Sequence, residues 1–230
     1  MKIGLVSYEF RNNDILFNLS QMKRAVARTR GKVDLLCFGE TFLQGFDSLN
    51  WNYDNDKEVA ISLDSDIMEK ICGLSLWGGV GLLFGYVERD GESLYSSCAL
   101  ADRGKVVHNY RRISKGWKEY TRTDSHYKEG ASAEEFTYRD RKFMIALCGD
   151  LWDYPEQFRT DGVLLWPIYV GFPWRSGTVR SLPMPNSPVL RHVRRLWSIL
   201  FPQIRDRMAA RSILGMEGWF PERNMGKRIF

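Results

Sequence analysis

Short apolar runs alternate with amphipathic segments along the first 170 residues. The apolar runs have the length of strands and end in turn residues, as expected for strands of a buried sheet. They read, in chain order, KIGLVSY, VDLLCFGE, GVGLLFGYVERD, SLYSSCALAD, KVVHNYRR, EEFTYRD, RKFMIALCGD and GVLLWPIYV. Strands and helices that alternate in this way predict an α/β fold.

Apolar residues at helical spacing predict two longer helices between these runs. The first covers residues 14–30, with Asp14 at its N-cap and Gly31 just beyond its end. The second covers residues 66–76. A further helix is predicted to open at Pro155, because proline suits the first turn of a helix.

Residues 175–230 have a different composition. They hold 11 Lys and Arg against 3 Asp and Glu, whereas residues 1–174 hold 22 against 25, so the basic character lies in the C-terminal segment. Five of the eight prolines lie there as well, and we predict helical potential within residues 190–215 but no strands. We therefore divide the chain into residues 1–174 and a basic, atypical segment 175–230, which is either a divergent ending or the product of a frameshift.

The whole composition fits a protein with a substantial core and no membrane-spanning segment. The chain has 230 residues, 44% of them hydrophobic, and its apolar runs are far shorter than the ~18 residues that a spanning helix needs. MKIGLVSYEF carries a charge where a signal peptide has its apolar core. The four cysteines are scattered and only three histidines are present, so neither a disulfide framework nor a zinc site is indicated. We expect a cytoplasmic protein with reduced thiols.

Reactive side chains follow three of the predicted strands. Glu40 comes after VDLLCFG, the segment 112–119 comes after KVVHNY, and Cys148 comes after KFMIAL. Because sites in α/β sheets gather beyond the carboxyl ends of strands, these groups are predicted to meet in one crevice. Cys148 taken alone also fits an inert buried thiol, which is the commoner fate of a cysteine in a core.

An ordered set of motifs resembles the nitrilase or carbon-nitrogen hydrolase superfamily. The matching stretches are FGETFLQGF, GLLFGYVERDGESLYSSCALADRGKVVHNYRR, YKEG and LCGDLWDYPEQF, within residues 1–173. The resemblance implies an α-β-β-α sandwich, here incomplete or altered at its C-terminus. It also implies a Glu, Lys and Cys triad that cleaves a small amide, carbamoyl compound or nitrile through a thioester. No metal or other cofactor is required, and a homo-oligomer such as a dimer is expected.

The resemblance assigns roles to particular residues. Cys148 matches the nucleophile and Glu40 the general base, while the N–H after Cys148 and the close backbone approach at Gly149 suit an oxyanion. Trp152 is a candidate for contact with the substrate. Asp150 is expected to fix the Cys148 loop by accepting bonds from backbone N–H groups.

One motif position departs from the family, since Arg112 stands where the family has its lysine. Arginine stabilises an oxyanion but does not readily give up a proton. We therefore expect Arg112 to bind the oxyanion or a substrate carboxylate, and Lys118 to protonate the leaving amine while Glu119 holds it. The same departure permits an alternative, a catalytically inactive relative that binds or regulates. A nucleic-acid-binding function rests on the basic segment alone and is the least favoured.

Overall fold

The computed structural model describes residues 1–170, 196–202 and 214–215. The strands are β1 (Ile3–Leu5), β2 (Leu35–Cys37), β3 (Gly81–Asp90), β4 (Ser93–Asp102), β5 (Lys105–Arg111), β6 (Glu135–Tyr138), β7 (Arg141–Ile145), β8 (Val163–Val170), β9 (Leu196–Pro202) and β10 (Leu214–Gly215). The helices are α1 (Ile15–Thr29), α2 (Tyr53–Val59), α3 (Asp66–Gly78) and α4 (Asp150–Asp153), and a single 3-10 turn covers Pro155–Gln157.

The described strands form two mixed sheets. The first has the order β10-β1-β2-β3-β4-β5 and the second the order β6-β7-β8-β9. In the first sheet β1, β2 and β3 run parallel, and β4 and β5 add antiparallel strands through hairpins. In the second sheet β7, β8 and β9 run parallel. The mixture follows from the connections, because helices cross between β1, β2 and β3 and between β7 and β8, whereas tight turns join the antiparallel pairs β3–β4, β4–β5 and β6–β7.

Two buried clusters define the layers of the fold. One lies between α1, α3 and the first sheet, and it includes Met22, Val26, Met68, Ile71, Leu82 and Phe84. The other unites residues of both sheets, and it includes Leu83, Leu100, Tyr110, Phe143, Ile145 and Leu165. Helices therefore cover the first sheet, whose inner face packs on the second sheet, and the predicted α/β sandwich is confirmed.

The first predicted helix is confirmed together with its cap. The Asp14 carboxylate accepts a hydrogen bond from the backbone N–H of Phe17 at 3.0 Å, and Gly31 beyond the end of α1 has a φ of +71°. The second predicted helix is confirmed as α3. The helix predicted at Pro155 is shorter than expected, because only a single 3-10 turn forms there.

The prediction that residues 175–230 contain no strands was wrong. β9 adds to the second sheet in parallel with β8, and β10 pairs antiparallel with β1 in the first sheet. The run LWSILFP is short and apolar, and periodicity alone does not separate a buried strand from a helix in such a run. Pairing with the central strand β8, which lies far away along the chain, decides its conformation. The rest of this prediction, and the division at residue 174, lie outside the described residues.

Candidate active site

The three strand ends predicted to converge do so. Glu40 follows β2, Arg112 follows β5 and Cys148 follows β7, the last in the opposite sheet. Arg112 Nη1 donates to Glu40 Oε1 at 3.0 Å, and both side chains are almost completely buried, with 4% and 3% of their surfaces exposed. The thiol of Cys148 is close enough to the carboxyl of Glu40 for each group to shift the pKa of the other. A carboxylate, a guanidinium and a thiol therefore form one contiguous group.

Backbone groups on two sides fix the Glu40 carboxylate. Its second oxygen accepts the backbone N–H of Tyr169, at the end of β8, at 2.9 Å. Below it, β3 passes so close that a β-carbon at Gly85 would lie 2.8 Å from the Glu40 Cα and 2.5 Å from the Thr41 nitrogen. Burial raises the pKa of Glu40, and the charge of Arg112 and the Tyr169 N–H oppose that rise. The carboxyl is thus suited to hold a proton for part of a reaction.

The Arg112 guanidinium has a fixed plane and one free corner. Nε donates to Ser114 Oγ at 2.6 Å, and Nη1 is bound to Glu40. Nη2 has no acceptor among the described residues, and a β-carbon at Gly149 would lie 2.3 Å from it. Only glycine at residue 149 leaves room for this donor, which faces the backbone immediately after Cys148.

Cys148 lies on a turn that projects its thiol. Its φ is +39°, which L-residues rarely adopt, and its backbone N–H donates to the Pro167 carbonyl at 3.0 Å while its carbonyl accepts the Trp166 indole N–H at 2.9 Å. Burial raises the pKa of the thiol, the Glu40 carboxylate raises it further, and Arg112 and the N–H of Gly149 oppose the rise. The resting sulfur is a thiol that needs a base, and Glu40 is the carboxyl whose charge acts on it.

Asp150 connects the two sides of the site, as the sequence predicted for the Cys148 loop. One of its oxygens accepts the N–H of Leu147 at 2.8 Å and the Tyr110 hydroxyl at 2.7 Å. The other accepts the N–H groups of Ile113 and Ser114 at 3.2 and 2.8 Å. This fully buried carboxylate therefore holds the end of β7 and the loop after β5 at a fixed separation.

Lys118 lies in the loop after β5, but its partner differs from the predicted one. The ammonium contacts the Tyr127 carbonyl and forms an ion pair with Glu129 at 2.9 Å, so the prediction that Glu119 holds it was wrong. The Glu119 carbonyl accepts the N–H groups of Arg122 and Thr123 in a tight turn, and its side chain is exposed. The turn, which the sequence pattern did not reveal, decides which glutamate meets the lysine.

Trp152, the predicted substrate contact, lies on α4. Its ring packs against Trp166 with centroids 4.7 Å apart, and Trp166 in turn binds the Cys148 carbonyl. Trp152 thus contacts the site through one intermediate residue. No group of three metal-ligating side chains is present within the described part of the chain.

Sequence reasoning missed Ser114 and Gly85, and it named Tyr169 only as an aromatic residue that could line a pocket. Ser114 orients Arg112, Gly85 admits the Glu40 loop, and Tyr169 supplies a backbone donor to Glu40. A glycine inside an apolar strand is the one signal that could have pointed to a close backbone approach. The contact between Tyr169 and Glu40 joins residues far apart in the sequence, and the contact between Ser114 and Arg112 depends on a local loop conformation. No sequence pattern indicates either contact.

Solved structures identify the fold as that of the nitrilase superfamily. An amidase from Nesterenkonia sp. matches with a TM-score of 0.58 and 19% identity, over 74% of this chain and 65% of that one. A CN-hydrolase superfamily protein from Xanthomonas campestris matches with a TM-score of 0.61 and 18% identity, over 74% and 65% of the two chains.

The sequence places the chain within a family. The carbon-nitrogen hydrolase profile matches residues 2–163, and the chain belongs to this family. An (R)-stereoselective amidase from Pseudomonas sp. is 27% identical over 159 residues, which are 69% of this chain and 55% of the relative. An arylacetonitrilase from Aspergillus niger is 27% identical over 130 residues, which are 53% of this chain and 39% of the relative. The chain thus spans about half the length of the curated relatives that it matches.

Proposed function

We propose that this protein is a cysteine-dependent hydrolase that cleaves a non-peptide carbon-nitrogen bond of a small amide or carbamoyl compound. The observation that carries the proposal is the grouping of the Cys148 thiol with the buried Glu40 carboxyl, which raises the pKa of that thiol, and with Arg112, which is bound to Glu40 and has one free corner beside Gly149. A thiol with a base beside it and a cation nearby is the arrangement that nucleophilic attack on a carboxamide requires.

In the proposed acylation, Cys148 Sγ attacks the carbonyl carbon as its proton passes to Glu40. The carbonyl becomes an oxyanion, which Arg112 Nη2 and the N–H of Gly149 stabilise. When the tetrahedral intermediate collapses, the carbon-nitrogen bond breaks and the proton held by Glu40 goes to the departing nitrogen. Ammonia or an amine leaves, and the acyl group remains on sulfur as a thioester.

In the proposed second half, Glu40 takes a proton from water and the resulting hydroxide attacks the thioester. The carbon-sulfur bond breaks, the acid leaves, and Cys148 regains its proton from Glu40. The carboxyl thus accepts and returns one proton in each half-reaction, which suits a group whose pKa burial has raised. Catalysis then requires no resident metal or organic cofactor.

Replacing the nucleophile is the direct test. We expect Cys148→Ala to abolish ammonia release from amides, whereas Cys72→Ala, a matched change in α3, alters stability alone. Glu40→Gln is expected to lose both acylation and hydrolysis while it keeps the fold. Ammonia release by Cys148→Ala at the wild-type rate would refute the mechanism, and a thioester formed at the normal rate in Glu40→Gln would remove Glu40 as the acylation base.

The proposal changes the role expected for Lys118 from the sequence. Its ammonium is held by the Tyr127 carbonyl and by Glu129, which supports Glu40 and not Lys118 as the proton donor to the leaving nitrogen. We expect Lys118→Met to retain turnover within a few-fold per folded molecule. A fall of about 100-fold or more, the usual cost of losing a donor to the transition state, would restore Lys118 as the acid.

Arg112 also supports a second candidate, a ligand-binding or regulatory relative without turnover. Its guanidinium occupies the lysine position and stays bound to Glu40, which holds the carboxyl as an ion pair. In that case Cys148 would react with a small alkylating agent, but no amide or nitrile would release ammonia. Turnover of any amide by the wild type rejects this candidate.

We also propose that the substrate is an amide more readily than a nitrile, that the active form is a homo-oligomer, and that the protein is cytoplasmic. One curated relative is named as an amidase and another as a nitrile-cleaving enzyme, so both substrates belong in the first assay. The four cysteines are free thiols, which suits a reducing compartment. No helix in the described residues has the length and apolar character needed to cross a membrane. Sedimentation of the purified chain tests the oligomer.

A further inference from the structure

The exposed aromatic ring of Phe46 is connected to Glu40 through Tyr169. Phe46 is 41% exposed and stacks on Tyr169, with ring centroids 4.0 Å apart and planes 25° apart. The backbone N–H of the same Tyr169 is bound to the Glu40 carboxylate at 2.9 Å. One residue therefore joins the ring of Phe46 to a reacting group.

The loop that carries Phe46 is fixed on both sides of the ring. The backbone N–H of Gly45 donates to the Thr41 carbonyl at 2.8 Å, and Gly45 adopts a φ of +90°. The backbone N–H of Asp47 donates to Asn12 Oδ1 at 3.2 Å. A ring that stays exposed while its backbone is held is already ordered for contact with a ligand, so little conformational entropy is lost on binding.

A second exposed ring, that of Tyr120, lies in the loop that follows Arg112. Tyr120 is 53% exposed, and its hydroxyl donates to the Lys115 carbonyl at 2.8 Å and lies 3.3 Å from Glu129 Oε1. Both partners adjoin glycines that lie close to Arg112. The N–H of Gly130 donates to the Arg112 carbonyl at 2.8 Å, and a β-carbon at Gly116 would lie 3.7 Å from Nη2.

The electrostatics agree with this placement. Burial and the Glu129 carboxylate raise the pKa of Tyr120 to about 12, and the charge of Arg112 opposes the rise. The phenol is thus within electrostatic reach of the guanidinium. Two other exposed large apolar side chains, Leu16 in α1 and Trp77 in α3, lie on the helical layer of the first sheet.

We propose that Phe46 and Tyr120 are specificity-determining residues that contact the non-reacting part of the substrate, and that this part carries an aromatic ring. Flat aromatic faces favour other aromatic groups through stacked and edge-to-face contacts. The amide to be cleaved then reaches Cys148 while the ring of the substrate rests on these two side chains. This inference rests on the proposed function and adds the chemical class of the substrate.

A matched pair of amides tests the inference. Propionamide and 3-phenylpropionamide differ by one phenyl group on the terminal carbon, so the ratio of their kcat/KM values isolates recognition of the ring. We expect the wild type to favour the phenyl compound, and Phe46→Ala and Tyr120→Ala each to lower that ratio by about tenfold, since an aromatic contact is lost. Trp77→Ala, which removes an equally exposed ring from α3, should leave the ratio unchanged.

Alkylation of Cys148 separates this inference from the proposed function because it needs no turnover. Iodoacetamide and N-benzyl iodoacetamide label the same sulfur, and intact mass gives the two rates. We expect a preference for the benzyl reagent that Phe46→Ala and Tyr120→Ala reduce and Trp77→Ala does not. If the two reagents label Cys148 at equal rates in the wild type and in all three variants, the aromatic contact is refuted, even if propionamide is hydrolysed. Absence of any ammonia release would refute the hydrolase while a selective labelling rate still supports the contact.

Discussion

Ser114 sets the direction in which the Arg112 guanidinium points. With Nη1 bound to Glu40 and Nε bound to Ser114 Oγ, the plane of the group is determined and Nη2 faces Gly149. Ser114 is itself fully buried, and its backbone N–H is held by Asp150. A neutral hydroxyl thus orients the donor that is proposed to bind the oxyanion.

Removal of this hydroxyl should affect turnover more than folding. We expect Ser114→Ala to lower the stability by ~1–2 kcal/mol, the usual cost of a lost buried hydrogen bond. We expect kcat per folded molecule to fall about tenfold with little change in KM, because the misoriented donor acts on the transition state. Ser114→Thr should restore most of kcat. Steady-state kinetics and thermal unfolding of each variant provide the measurements.

Ser75→Ala is the control for this prediction. Ser75 is equally buried and donates to the Cys72 carbonyl at 2.8 Å, in the helical layer and away from the site. Its loss should reduce the melting temperature without altering kcat. An unchanged kcat in Ser114→Ala as well would show that the serine supports the fold and not the orientation of Arg112.

The residues proposed to react could be located from the sequence, but the residues that support them could not. Glu40 and Cys148 follow apolar runs within recognisable motifs, so their position at strand ends was evident. The partners of Lys118 and Arg112 depend on how the loop after β5 folds. Because residues 119–123 form a tight turn, Lys118 pairs with Glu129 and not with the predicted Glu119. Loops lack the periodicity that makes strands legible.

At the scale of elements, β3 positions the site because it has a glycine, with no side chain, where the Glu40 loop crosses it. Its central glycine, Gly85, lies against the backbone of residues 39–41, and its N–H donates to the Gly39 carbonyl at 3.1 Å. A side chain at this point would push the Glu40 loop away from Arg112. The apolar pattern predicted the strand, but a pattern of side chains does not show that another backbone crosses it.

We expect Gly85→Ala to lower both stability and activity. The added methyl group would meet backbone atoms at 2.5–2.8 Å, so the loop must shift. Overpacking of this kind typically costs ~1–3 kcal/mol. We expect kcat to fall about 100-fold, since Glu40 leaves the reach of the Cys148 proton. Chemical unfolding and ammonia release under the same buffer conditions measure the two effects.

Gly73→Ala in α3 is the matched control. A β-carbon there has no atom within 4 Å, and alanine is the better helix former, so we expect a gain of ~0.5–1 kcal/mol with normal turnover. Activity retained in Gly85→Ala would mean that the Glu40 loop tolerates the shift.

The strands β9 and β10 also could not be predicted from the sequence, since long-range pairing and not local propensity gave them their conformation.

At the scale of the whole molecule, buried cysteine thiols and tyrosine phenols set an upper pH limit for the stability of the fold. Burial raises the pKa of Cys37 and Cys98 above the ordinary value of 9.0, and that of Tyr86 and Tyr110 above 10.0. The folded chain keeps these protons when the unfolded chain has released them. Stability is therefore constant below the ordinary values and falls as the pH rises through and beyond them.

We expect the free energy of unfolding to change little between pH 7 and 8 and then to fall steeply above pH ~9, by ~1.4 kcal/mol per pH unit for each such group. Urea unfolding under reducing conditions at several pH values measures the slope. Cys37→Ala should be less stable at neutral pH but lose less stability on the way to pH ~10.5, because one buried thiol no longer titrates. An identical decline in both proteins would contradict the assignment to Cys37.

The proton on Cys148 also determines how the sulfur meets oxidants. Peroxides attack thiolates, and burial together with the Glu40 carboxylate keeps the resting sulfur in its thiol form. A cysteine activated by a lowered pKa would be exposed to oxidation throughout its life in the cell. In the proposed mechanism the thiolate forms only as Glu40 takes its proton beside a bound amide or alkylating reagent, so reactivity toward substrate does not bring with it equal reactivity toward hydrogen peroxide.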